Sequence, residues 1–86
     1  MKIIKIGAIW CTSCILVKNN LDKVLKDNKD IELIEYDIDF DKDQVEKYNI
    51  GDKLPVLILE KDEHEITRLI GEATKDEIKK MIEGSR

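Results

Sequence analysis

The sequence predicts an α/β fold: a four-stranded mixed sheet with helices on both faces, in the order β-α-β-α-β-β-α. Three observations carry this. The opening run KIIKIGAI is apolar, rich in isoleucine and of strand length. From Thr12 the apolar residues change to helical spacing. Near the end, the polar segment KDEH separates two further strand-like runs and reads as a turn. At 86 residues the chain suffices for one domain, taken as residues 1–86.

Taken in order, residues 2–9 read as a buried strand that ends at a Trp-Cys turn. Between about Thr12 and Asn28, Cys14, Val17, Leu21 and Val24 follow one another at steps of three, four and three, with Leu25 beside them. They form one apolar stripe. IELIEYDID, residues 31–39, is a second strand. Asp41 with Gln44 marks a helix start, followed by Val45 and Tyr48 on one face. PVLILE, residues 55–60, is a short apolar strand, and EITRLIG alternates as a fourth. Thr74 and Glu77 have the spacing of a capping box, and Ile78, Met81 and Ile82 give a final amphipathic helix. Strands joined through helices are expected to be parallel, by right-handed crossovers, and the last two to form an antiparallel hairpin.

Composition narrows the function classes. Hydrophobic residues make up 42% and charged residues 40%, with a net charge of −4. Charges of both signs are interspersed, so nothing marks a nucleic-acid-binding face. No apolar run approaches membrane-spanning length. The start lacks the long apolar core and small-residue cleavage site of a secretion signal, and Lys5 interrupts it. The expected setting is cytoplasmic, where thiols are kept reduced. A cysteine pair there is catalytic or metal-binding more often than a permanent staple.

The pair lies in AIWCTSC, residues 8–14. Cys11 falls where the first strand gives way to the first helix. The unpaired N–H groups and partial positive charge of a helix N-terminus favour a thiolate there. Cys14 lies three residues on, at a helical neighbour distance of about 5–6 Å that suits a disulfide. So small a ring contributes little stability, which favours a reversible bridge. Cys14 is in register with Val17 and Leu21 and is expected to be buried. Cys11, at the helix tip, is expected to be accessible. Cys11 is therefore assigned as the nucleophile and Cys14 as the resolving thiol.

Metal binding is the competing role for such a pair. A closed zinc site needs four ligands, whereas the chain has two cysteines and one histidine, His64, in the turn between strands three and four. A monomer does not complete such a site, although a dimer would pool two cysteine pairs. Two soft thiolates also suit copper(I). Small copper carriers of similar length have the order β-α-β-β-α-β, and here a helix separates strands two and three.

With Trp10-Cys11-x-x-Cys14 after the first strand, Pro55 opening a later strand and Gly71 ending the fourth, the sequence resembles the thioredoxin superfamily in its short form. YNIGDKLPVLILE resembles the family's tyrosine-x-isoleucine to proline-strand segment, with one extra residue before the proline. The resemblance covers nearly the whole chain. It implies a thioredoxin-like fold with Pro55 cis beside the cysteines, and with backbone groups of Leu54 pairing with an extended substrate segment. It also implies that Trp10 lies beside the nucleophile and shapes the contact surface, and it gives a substrate-side place to Gly71. Ile15, off the helical stripe, is expected to be exposed nearby, where the family often has a basic residue.

Two departures stand out. Thr12 and Ser13 replace the familiar Gly-Pro between the cysteines, and their hydroxyls are candidates for donating to a thiolate or for capping the helix. The family's buried aspartate, six residues before the first cysteine, is Lys5 here, and the position of its partner lysine is Glu35. The expectation is a charge-swapped ion pair between Lys5 and Glu35 below Cys14, with Glu35 handling protons.

The resulting expectation is a thiol-disulfide oxidoreductase that reduces protein disulfides through a reversible Cys11–Cys14 bridge. It needs no cofactor and no metal, acts as a monomer, and is recharged by a reductase or another dithiol protein. A glutathione-linked, glutaredoxin-like reductase is the near alternative. The threonine-valine usual there before the proline and the Gly-Gly after the fourth strand are replaced by KLP and IGEAT. A non-catalytic thioredoxin-like docking module, or a CxxC metal carrier, is the alternative from another class.

Overall fold

In the computed structural model, which describes residues 1–86, seven elements follow the predicted order. They are β1 (Lys2–Gly7), α1 (Thr12–Leu25), β2 (Glu32–Asp37), α2 (Lys42–Glu46), β3 (Val56–Lys61), β4 (His64–Ile70) and α3 (Lys75–Glu83). The sheet order is β2-β1-β3-β4. Side chains alternate across β1 and β3 with the two-residue period of a strand. Ile3, Leu57 and Leu59 meet Val17, Leu21 and Val24 of α1 and Ile78 and Ile82 of α3. On the opposite face Ile4, Ile6, Val56 and Ile58 meet Val45 of α2. Helices therefore cover both faces, and no helix is long and apolar enough to cross a membrane.

One expected strand direction is corrected. β1 and β2 are parallel, and β3–β4 is an antiparallel hairpin, but β3 runs antiparallel to β1 although a helix connects it to β2. The connection of residues 38–55 holds only the five-residue α2, about 7.5 Å long against roughly 20 Å for a six-residue strand. It is not a helical crossover running the length of the sheet, and the chain re-enters at the end it left. Val56 consequently pairs with Ile6, at the end of β1 nearest the cysteines.

Local start signals were met unevenly. The Thr74–Glu77 capping box forms in both directions, with both hydrogen bonds at 3.1 Å. At the expected helix start, Asp41 is the N-cap of α2, but its carboxylate accepts the Asp37 N–H at 2.9 Å and makes no cap bond to the helix. Asp62 and Glu63, both at positive φ, make the β3–β4 turn. His64 is thus the first residue of β4, paired with Lys61 at the end of the sheet remote from the cysteines, and not part of the turn.

Candidate active site

Cys11 is the N-cap residue of α1, and its Sγ accepts the Cys14 backbone N–H at 3.3 Å. An N-cap side chain ordinarily satisfies one of the orphan donors of the first turn with an oxygen. Here the sulfur does so, which places Cys11 and Cys14 on adjoining positions of the same turn. Both are free thiols. Cys14 is 2% exposed and Cys11 9%. The order of exposure is as expected, but Cys11 is far less open than its place at a helix tip suggested. Leu54 and Ile38 pack against the cluster formed by Ala8 and the two cysteines and close over the tip.

Burial pushes the Cys14 thiol up to about 11, and its hydrogen bond with Cys11 adds to the rise. A backbone contact with Ala8 and the charge of Lys5 act in the opposite direction. Gly7 is what lets this thiol sit against β1. A methyl group on its α-carbon would stand 2.9 Å from Cys14 Sγ and 3.3 Å from Lys5 Nζ, so the ammonium and the sulfur flank the same point.

The Leu54–Pro55 peptide bond is cis, as the resemblance implies. Pro55 is buried and Leu54 half-buried beside the cysteines. Gly71 donates its N–H to the Pro55 carbonyl at 2.8 Å and has φ of +88°, a conformation that glycine adopts without a Cβ penalty. Trp10 lies 67% exposed on the rim, and its indole Nε1 donates to Asp39 Oδ2 at 3.0 Å. Ile9 and Ile15 are exposed as well and line a cavity with Cys14, which gives the thiols apolar neighbours at the surface.

The thioredoxin family profile matches residues 1–84. The chain belongs to the thioredoxin family. It is 31% identical over 75 residues to the thioredoxin of Chlamydia trachomatis, spanning 87% of this chain and 72% of that protein. It is also 31% identical over 78 residues to the thioredoxin of Echinococcus granulosus, spanning 91% of this chain and 71% of that one. Mitochondrial thioredoxin 3 from Saccharomyces cerevisiae, in its oxidised form, shares the fold with a TM-score of 0.85 at 25% identity. That likeness covers 96% of this chain and 76% of the yeast chain. This member of the thioredoxin family is a thiol-disulfide oxidoreductase with its two cysteines at WCxxC spacing.

Two thioredoxin-family positions behave differently from the expectation. Lys5 and Glu35 are aligned on parallel strands and share a face, but they form no ion pair. β2 is an edge strand, so Glu35 reaches outward and pairs with Lys18 of α1 at 3.5 Å. Lys5 stays inward, 8% exposed, toward Cys14. The Ser13 hydroxyl donates to Glu72 at 3.0 Å rather than to a cysteine, and Cys11, not Thr12 or Ser13, caps the helix.

Sequence reasoning missed Gly7, Asp37 and Asp39. Asp37 accepts the N–H groups of Ile9 at 3.2 Å, Asp39 at 2.7 Å and Phe40 at 3.3 Å, and so ties the end of β2 to the segment that presents Trp10 and Cys11. The available signals were a glycine inside an isoleucine-rich strand, which marks a close approach, and an aspartate at a strand end, which marks a side-chain-closed turn.

Proposed function

We propose that the protein reduces disulfides of other proteins in the cytoplasm, with Cys11 as the attacking sulfur and Cys14 as the resolving one. The observation that carries this reading is the hydrogen bond from the Cys14 N–H to Cys11 Sγ at the start of α1. It gives negative charge on Cys11 a backbone donor and keeps the second sulfur one turn away.

In the first step Cys11 Sγ, as thiolate, attacks one sulfur of the substrate disulfide. A Cys11–substrate disulfide forms, and the other substrate sulfur leaves as a thiolate that takes up a proton. Cys14 then loses its proton and attacks Cys11 Sγ. The Cys11–Cys14 bond forms and the second substrate sulfur departs, so that two electrons have passed to the substrate. A reductase or another dithiol protein returns the pair to the thiol state. No further cofactor enters this scheme. Pro55, Leu54 and Gly71 form the shelf beside the sulfurs on which an extended substrate strand would lie, and Trp10 forms its wall.

Reduction of insulin with dithiothreitol as electron source tests the reading. Catalysis by the wild type, its loss in Cys11→Ser, and trapping of a mixed disulfide by Cys14→Ser are expected. Turnover only with glutathione would move the protein to the glutathione-linked alternative. No turnover under either condition would leave a docking role.

A further inference from the structure

Lys5 is the one charged residue in the buried core, and no side-chain hydrogen bond or ion pair uses its ammonium. The residue is buried but its ammonium keeps some access to solvent, since no fully buried side-chain nitrogen lacks a hydrogen bond, and a cation so placed still favours an anionic partner. Three groups of observations locate that partner. The carboxylate aligned with it on β2, Glu35, is taken by Lys18. Asp37 and Asp41, which line a cavity of about 310 Å³ with Lys5 and Glu35, have their carboxylates committed to backbone N–H groups. On its other side Lys5 lines a second cavity, of about 190 Å³, together with Cys14, Ile9, Ile15 and Lys18. There the Lys5 ammonium and the Cys14 sulfur both press against Gly7.

We propose that Lys5 is a fixed cation for Cys14, holding the thiolate that this sulfur must become when the mixed disulfide is resolved. The proposal rests on the dithiol reading above for its place in the reaction, and on geometry for the charge contact itself. The formal charges facing Cys14 are few: Lys5 from β1, Cys11 and Lys18 from α1, with apolar Leu54 on the side of β3. Of these, Cys11 opposes ionisation of Cys14 while it carries negative charge. Once Cys11 is bound in the mixed disulfide its sulfur is uncharged, and the cation acts on Cys14 against burial without that second opposing charge. In this role Lys5 supplies charge and does not accept the proton. The Cys14 proton leaves to water through the 190 Å³ cavity, and the departing substrate thiolate regains one from solvent. Cys14 thus becomes a stronger nucleophile at the step where it is needed.

The test uses Cys11→Ser, in which Cys14 is the only thiol, and follows its thiolate by ultraviolet absorbance against pH. Adding Lys5→Met is expected to lower the thiolate fraction at a given pH by about tenfold or more, as removal of an opposite charge at close range does. Lys5→Arg is expected to retain it. With both cysteines present, Lys5→Met is expected to slow closure of a preformed Cys11 mixed disulfide by a similar factor at neutral pH. Lys5→Gln repeats both measurements with a polar neutral side chain, in case methionine repacks the core. Folded Met and Gln variants with wild-type Cys14 titration and closure would overturn the proposal. The titration is independent of turnover. A shifted Cys14 in a protein that fails to reduce insulin would keep the Lys5 contact and remove the reductase reading, and the converse result would do the reverse.

Discussion

Gly7 lies directly beneath Cys14, and a single added methyl group would stand 2.9 Å from the sulfur and 3.3 Å from its β-carbon. No real Cβ is accommodated at that distance without movement. The neighbours on this side are the packed start of α1 and the Lys5 ammonium, so a shift disturbs the site itself. Gly7→Ala is expected to destabilise the reduced protein by about 1–3 kcal/mol, the usual cost of overpacking, read from the midpoint of urea unfolding. It is also expected to slow closure of the Cys11 mixed disulfide. An alanine variant of wild-type stability would mean that α1 moves freely on β1.

Cys14 gives the reduced protein a pH-dependent stability. Its thiol is raised in the folded state from the ordinary value of 9.0 to about 11. The folded state therefore holds a proton that the unfolded chain releases first, and the associated stability is complete below pH 9 and lost as pH rises toward about 11. The melting temperature of the reduced wild type is expected to fall more steeply over that interval than that of Cys14→Ala. The disulfide form, which has no thiol to titrate, is expected to follow the alanine variant. Parallel curves for all three would contradict the shift.

The capping box at the start of α3 bonds neither thiol, which makes it a probe of stability separate from the sulfur chemistry. Thr74 Oγ1 accepts the Glu77 N–H, and the Glu77 carboxylate accepts the Thr74 N–H. Thr74→Ala is expected to cost about 0.5–2 kcal/mol of folding stability, measured by denaturant unfolding, with the reactivity of Cys11 toward an alkylating reagent unchanged.

Trp10 is held by Asp39 rather than by packing, since two-thirds of its surface is open and its one polar group is bonded. Asp39→Ala is expected to change stability by about 0.5 kcal/mol, the lower end of the range for a hydrogen bond, because this one is exposed. It is also expected to shift the Trp10 fluorescence and to slow reduction of insulin more than reduction of a small disulfide reagent. Equal slowing of both would place the effect on the thiols instead of the rim.

What the sequence made legible was periodic or local. The stripe from Cys14 to Val24 predicted which cysteine is shielded, because the same spacing that buries Val17 and Leu21 buries Cys14. The Thr74–Glu77 spacing predicted a cap whose partners lie within one turn. Features that depend on which strand is at an edge were not legible. Glu35 is aligned with Lys5, yet its side chain leaves toward solvent because nothing covers β2 on its outer side, and α1 brings Lys18 within its reach. The closing of Leu54 over Cys11 and the reversal of β3 were equally hidden. Both depend on the path of the long connection between β2 and β3, which no local spacing specifies.

That connection has an architectural consequence. Because the chain returns at the end it left, the tip of α1, the Leu54–Pro55 bond and Gly71 gather at one rim, while the Asp62–Glu63 turn lies at the opposite pole. In the proposed reading, recognition and sulfur exchange share one end of a molecule 31 Å long, with the hairpin turn at the other. A peptide tag or an immobilising linker inserted between Asp62 and Glu63 would leave the reacting end facing its substrates.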